Sequence, residues 1–262
     1  MRSGGDDFCC EEGTCKMLSA LKKLSGKGYR ASRLYDPEFF AGQQSGSKRS
    51  AEAIVPILMD AINPRSVVDV GCGVGTWSGE FLSHGASVVA LDGDYVPRED
   101  LQIPPHMFSA IDLNALPPAS EIGEFDLALC LEVAEHLRPE SAEQLIRFLT
   151  DAAQCVLFSA AIPGQRGRGH INEQWQSYWV NLFEQRGYHC NDIVRPRVWN
   201  LPNVQPWYAQ NVFLFTRHAL AEAAQAMPID VVHPDIFHRN HKDKEMRRAA
   251  GKRTRGARIA GR

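Results

Sequence analysis

Short apolar runs recur along the middle of the chain, each about a strand long. Val67–Val70 is the first, followed by Ser87–Leu91, Met107–Ile111, Phe125–Leu131 and Cys155–Ala160. Between several of them the apolar residues fall at helical spacing, notably over Trp77–Ser83 and Ser141–Ala153. Unbroken apolar runs belong to strands covered on both faces, and strands alternating with helices predict a parallel sheet between two helical layers. Ile193–Val198 and Val212–Thr216 close the pattern as two late strands. Ahead of the first run, Ala51, Ile54, Val55, Leu58, Met59 and Ile62 mark one helical face, stopped by Asn63-Pro64.

The ends of the chain read differently. Residues 1–28 are polar and glycine-containing and are expected to form a flexible segment. A folded domain is expected over 29–217, with 218–262 as a C-terminal extension ending in a basic, disordered tail. The formal net charge of −2 hides an asymmetry. Removing the ten Lys/Arg and two acids of 239–262 from totals of 29 and 31 leaves 19 basic and 29 acidic residues, a net of −10. Such a tail can meet nucleic acid or an anionic surface through counterion release. The seven cysteines include no C-x-x-C pair, so a zinc ribbon is not expected. With no secretory signal and no membrane-spanning apolar run, a cytoplasmic protein without membrane insertion is expected.

The most informative stretch is Val67-Val68-Asp69-Val70-Gly71-Cys72-Gly73-Val74-Gly75-Thr76. A strand enters a G-x-G-x-G turn and a helix follows, a context that lets a ligand approach the backbone closely. A dinucleotide fingerprint would need G-x-G-x-x-G, and position 76 is Thr. Asp69 disfavours pyrophosphate and suits a cationic amine or sulfonium. Asp92 closes the second run, placed to accept ribose hydroxyls. Asp112 closes the third and is placed for an adenine amino group, with Leu113 over the ring. Three acidic strand ends beside this turn fit S-adenosylmethionine.

On DVGCGVGTW, VVALDGD and FDLALCLEVAEHL, residues 65–217 resemble class I S-adenosylmethionine-dependent methyltransferases. The resemblance implies a Rossmann-like three-layer α/β/α sandwich, with a mostly parallel seven-stranded sheet whose last strand is antiparallel. It implies a cofactor pocket drawn from Asp69, Gly71, Cys72, Gly73, Gly75, Asp92, Gly93, Asp112, Leu113, Leu131 and Glu132. After the fourth strand, Glu132, Glu135 and His136 share one face if a helix begins there, and His170 follows the fifth strand. E-x-x-E-H with a later His is similar to ubiquinone-pathway O-methyltransferases and small-RNA 2′-O-methyltransferases. That similarity implies a divalent ion such as Mg²⁺ on Glu132, Glu135, His136 and His170. In metal-free relatives of the class, Glu132 would only line the cofactor pocket.

Residues 159–179, SAAIPGQRGRGHINEQWQSYW, form a loop at the functional end of the sheet and then an aromatic helix. His170 is the candidate general base, since an imidazole suits proton removal at neutral pH. Asn172 and Glu173 are read as helix caps or as contacts to polar substrate groups. Arg166 and Arg168 are loop cations beside the expected site, and Trp199, Trp207 and Tyr208 form a second aromatic cluster. Three functions stay open: O-methylation of a small-molecule hydroxyl (sugar, glycolipid or natural product), metal-assisted RNA 2′-O-methylation using the basic tail, and non-catalytic cofactor binding.

Overall fold

The computed structural model of the protein describes residues 37–220 and 227–239. Seven strands form one sheet: β1 (Ser66–Val70), β2 (Ser87–Asp92), β3 (Phe108–Ala110), β4 (Phe125–Leu131), β5 (Ala153–Ser159), β6 (His189–Asn191) and β7 (Phe213–Thr216). Their order is β3-β2-β1-β4-β5-β7-β6. β7 runs antiparallel to both neighbours, and the pairings among β1 to β5 are parallel. The expected Rossmann-like sandwich is therefore present. Strand order reverses between β1 and β4, which opens a crevice at their carboxyl ends.

The unbroken apolar runs explain the layering, because alternate residues of each strand feed opposite cores. Val68, Val70, Ala128, Cys130, Val156 and Phe158 face α3 (Ala142–Ala152) and α4 (Gln176–Gln185). Val67, Leu127, Leu129, Leu157 and Leu214 face the other layer. That layer holds α1 (Pro37–Ala61), α2 (Thr76–Ser83), α5 (Arg195–Val198) and α6 (Pro206–Asn211). Among the described residues no helix is long and apolar enough to cross a membrane.

One expected strand is a helix instead. The apolar pattern predicts an extended Ile193–Val198, yet Arg195–Val198 is a helical turn with Pro196 in its first turn. Proline there needs no N–H partner and has its φ preset. The edge strand is the shorter His189–Asn191, paired with β7. Met107 and Ile111 also fall outside β3.

The helical turn places Arg195 inside the protein at 0% exposure. Its guanidinium donates to both Asp192 carboxylate oxygens at 2.9 and 2.7 Å and lies 4.0 Å over the Phe213 ring. It also donates to the carbonyls of Ile229 at 2.9 Å and Pro228 at 3.0 Å. A strap from the expected C-terminal extension is thereby clamped to the domain. Gln176 Nε2 donates to Val231 O at 2.9 Å, and Asp230 accepts from the Ser177 backbone and hydroxyl at 2.8 Å each. The basic residues beyond Arg239 and the N-terminal segment 1–28, with Cys9, Cys10 and Cys15, lie outside the described residues.

Arg195→Ala leaves Asp192 and two carbonyls without their cation. It is expected to cost about 3–5 kcal/mol, as for other broken buried pairs. Urea denaturation reads this directly; a loss below about 1 kcal/mol, the scale of an exposed pair, would show that the clamp does not hold the strap.

Candidate active site

The glycine turn after β1 is shaped by close approach. Gly71 has φ +84°, and a Cβ there would lie 2.3 Å from Val133 Cγ2. Its N–H donates to Leu91 O at 2.7 Å, docking the turn onto β2. At the end of β2, Asp92 accepts from the amides of Gly73 at 2.7 Å and Gly93 at 2.6 Å, and from the Tyr95 hydroxyl at 2.5 Å. Burial raises the Asp92 carboxyl, and these hydrogen bonds oppose the rise. Asp69 is buried behind the turn, its Oδ2 taken by the Ser78 hydroxyl at 2.6 Å. Burial pushes its carboxyl up to about 7, with the Ser78 bond pulling down and Asp92 pushing up.

After β4 the chain turns through Glu132 at φ +55°, a strained conformation for a side-chain-bearing residue. The helix expected over 132–136 is only a short 3₁₀ turn, Ala134–His136. Glu132 and Glu135 therefore part company. The Glu132 carboxylate accepts from Gln165 Nε2 at 3.0 Å and Asn211 Nδ2 at 3.2 Å. Burial raises it to about 7 against these bonds. Glu135 is 0% exposed, and neither side-chain oxygen has a hydrogen-bond partner. The backbone amides of Glu135 and Ala161 pull its carboxyl down. Burial first, and then the Glu132 charge, hold it well above the usual range.

The loop after β5 folds back over this turn. Ile171 and Asn172 donate their amides to Glu135 O at 2.8 and 3.0 Å. His170 packs edge-on against His136, ring centroids 4.8 Å apart. Burial, with the His170 charge second, lowers His136 to about 4. Glu173 accepts from the amides of Gly164 at 2.7 Å and Arg166 at 2.9 Å, and from His170 Nδ1 at 2.9 Å.

These elements enclose a cavity of about 380 Å³ at the crevice. Of the expected cofactor residues, Gly71, Cys72, Gly73, Asp92, Leu113, Leu131 and Glu132 line it. Asp69, Gly75, Gly93 and Asp112 are not among its lining residues. Asp69 sits one layer behind, and Asp112 lies past the end of β3, exposed, accepting the Asn114 amide at 2.9 Å. Arg166, Arg168, His170, Trp207 and the buried Tyr208 line it as well, whereas Trp199 packs against His233 instead.

Neither Asn172 nor Glu173 caps α4, whose N-cap is Trp175 with no side-chain cap bond. Asn172 is buried and donates to Ala134 O at 3.3 Å. The residues that sequence reasoning missed are Gln165, Asn211, Tyr95 and Ile236. Only the polar pair Gln210-Asn211 before an apolar strand hinted at the first network. Tyr95 and Ile236 carry no local signal.

Of the four expected metal ligands, Glu135, His136 and His170 offer ligand atoms all within 4.8 Å of one another. Glu132 is diverted to the Gln165–Asn211 network and is not part of that group. One uncompensated buried carboxylate beside two imidazoles fits a divalent cation. The donor set suits first-row transition ions better than Mg²⁺, which prefers oxygen ligands.

A family profile described as a methyltransferase domain matches residues 40–233. Among solved structures, the chain is similar to magnesium protoporphyrin IX methyltransferase from Synechocystis PCC 6803 with bound SAH. That match has 18% identity and a TM-score of 0.51, over 78% of this chain and 96% of that one. The same enzyme with bound SAM matches at 17% identity and a TM-score of 0.50, over 83% and 100%. An O-methyltransferase family protein from Burkholderia thailandensis matches at 12% identity and a TM-score of 0.50, over 80% and 69%. No curated protein matches the chain.

The buried acids make ligand-free stability depend on pH. Asp69 stands near 7 in the folded protein, above the 3.8 of a solvated aspartate, so the folded state holds the extra proton between these limits. Its contribution is full below pH 4 and is lost as pH rises through about 7. Ligand-free protein is expected to lose more thermal stability between pH 5 and 8 than Asp69→Asn does. Equal slopes in thermal unfolding would show that Asp69 is ionised throughout.

Proposed function

This chain belongs to the methyltransferase-domain family and is an S-adenosylmethionine-dependent methyltransferase, and from that premise we propose that it methylates the hydroxyl of a small-molecule acceptor. The observation that carries the proposal is the His170 imidazole, which lines the cavity while its Nδ1 is held by Glu173 at 2.9 Å. Trp207, half-buried in the cavity lining, adds a flat apolar side chain suited to a sugar or aromatic ring.

The cofactor occupies the inner part. The glycine turn admits its methionine end, and Glu132 and Asp92 offer negative charge toward the sulfonium and ribose. Asp92 already accepts three hydrogen bonds, so taking both ribose hydroxyls requires the Tyr95 phenol to leave. Asp69 acts from behind the turn through its charge and through Ser78. Leu113 covers the adenine ring from the cavity lining, and Asp112 takes its amino group from the exposed turn just beyond.

The acceptor oxygen attacks the methyl carbon in line with the carbon–sulfur bond. That bond breaks, and sulfur leaves as the neutral thioether of S-adenosylhomocysteine. His170 Nε2 takes the hydroxyl proton as the new carbon–oxygen bond forms. Because the sulfonium is already a good leaving group, the protein supplies position and deprotonation.

A second reading rests on Glu135. Its buried, unpartnered carboxylate with His136 and His170 would hold a divalent cation, which would lower the acceptor hydroxyl's pKa. An RNA 2′-hydroxyl is the acceptor this second reading favours.

A screen of methyl glycosides, phenols and a short RNA with labelled S-adenosylmethionine, with and without EDTA, separates the two. EDTA-resistant transfer to a glycoside or phenol is expected; transfer to RNA alone, abolished by EDTA, would replace it with the second reading. His170→Ala is expected to cut turnover by about 10²–10⁴-fold, the range of general-base catalysis, while S-adenosylhomocysteine binds as before. Near-normal turnover of that variant would remove His170 as the base.

A further inference from the structure

We propose that Glu173 is the positioning residue of this site: it fixes the His170 imidazole in the tautomer protonated on Nδ1 and ties that ring to the loop carrying it. The inference rests on the reading of His170 as the base.

The Glu173 carboxylate has three donors around it. Oε2 accepts the Gly164 amide at 2.7 Å, and Oε1 accepts the Arg166 amide at 2.9 Å and His170 Nδ1 at 2.9 Å. An ionised carboxylate can only accept, so Nδ1 must carry the proton. In the neutral ring the lone pair is then on Nε2. The nearest carboxylate to Nε2 is Glu135 Oε1 at 4.0 Å, beyond hydrogen-bond distance, so it does not capture the ring from that side.

The loop is built to bring those donors together. Gly164, Arg166 and Gly169 have φ of +84°, +64° and +81°, a tightly reversing path that turns two amides onto one carboxylate. Gly167 leaves room for the imidazole. A Cβ there would lie 2.0 Å from His170 Nε2 and 2.3 Å from its Cε1. The ring is thus held by Glu173 on one nitrogen, by the Gly167 backbone below it and by the His136 edge beside it. A freely rotating imidazole would present Nε2 to the acceptor only part of the time, and a wrong tautomer would not accept a proton at all.

A carboxylate that merely staples the loop would need only its two amides. Glu173→Gln separates the roles. Its amide oxygen, in the place of Oε2, can still accept the Gly164 amide, while its NH₂, in the place of Oε1, gives up the Arg166 amide, donates to Nδ1 and moves the imidazole proton to Nε2. The full chain, ¹⁵N-labelled in histidine and saturated with S-adenosylhomocysteine, should show His170 protonated on Nδ1, and Glu173→Gln should reverse this. Turnover of the methyl glycoside or phenol most active in the screen should fall about 10²-fold in kcat. KM for S-adenosylmethionine should not move. The double variant with His170→Ala should be no slower than His170→Ala alone. An unchanged tautomer, or wild-type kcat in Glu173→Gln, overturns the proposal. If Glu173→Gln does not fold, Gly167→Ala, which pushes the ring off Glu173, should give the same loss of the Nδ1–H tautomer; retention of that tautomer overturns the proposal as well. Should His170→Ala turn over normally, the base reading falls, and the tautomer alone decides the role of Glu173.

Discussion

Where β4 ends, the chain turns through Glu132 in a left-handed conformation, and the Glu132 amide donates to Ser159 O at 2.9 Å at the end of β5. A helical exit from β4 would have put Glu132, Glu135 and His136 on one face. The turn sends Glu132 toward Gln165 and Asn211 and buries Glu135 against the two imidazoles. It also exposes the Glu135 carbonyl to the amides of Ile171 and Asn172, which seats the loop that carries His170. Cofactor side, imidazole side and loop are therefore placed by one turn whose strain, of order 1–3 kcal/mol, the bonds from β5 and the loop offset.

The same region concentrates acids that are poorly solvated. Asp69 and Glu132 both stand near 7, and burial is the first cause in each. In the ligand-free protein such groups are near the point of losing their charge. A cationic sulfonium arriving among them restores the reason to ionise, so binding and proton release are linked. This gives Asp69 a part in recognition although it does not line the cavity. Its charge acts through the turn, while Ser78 keeps its geometry fixed.

The strands and both helical layers were legible in the sequence because their signal is local: apolar runs on β1, β2, β4 and β5, and helical spacing on α2 and α3. The segment Ile193–Val198 reads as a strand from its apolar ends, Ile193 and Val198, unless the burial of Arg195 is known. That burial depends on carbonyls of a strap more than 30 residues away in sequence. The glycine turn and Asp92 were legible because their spacing is fixed by one strand–turn–helix unit. The Glu132–Gln165–Asn211 network was not, since two loops and the end of α6, far apart in sequence, build it. Glu173 looked like a helix cap because α4 starts close after it; only the reversing loop backbone shows that its carboxylate points back to Gly164, Arg166 and His170.

His170 carries both readings of the chemistry, and Glu173 suits each of them. A carboxylate on Nδ1 raises the basicity of Nε2 toward a proton and equally toward a cation, as it does for many metal-bound histidines. The difference lies on the other side of the ring. Burial holds the Glu135 carboxyl up and the His136 imidazole down, which favours the uncharged form of each in the absence of a cation. Among the described residues no carboxylate then lies within hydrogen-bond distance of His170 Nε2 to compete with an incoming hydroxyl. A cation would invert this by ionising Glu135 and occupying Nε2, which would leave the acceptor oxygen to lose its proton elsewhere. The two mechanisms thus exclude each other at a single atom, His170 Nε2.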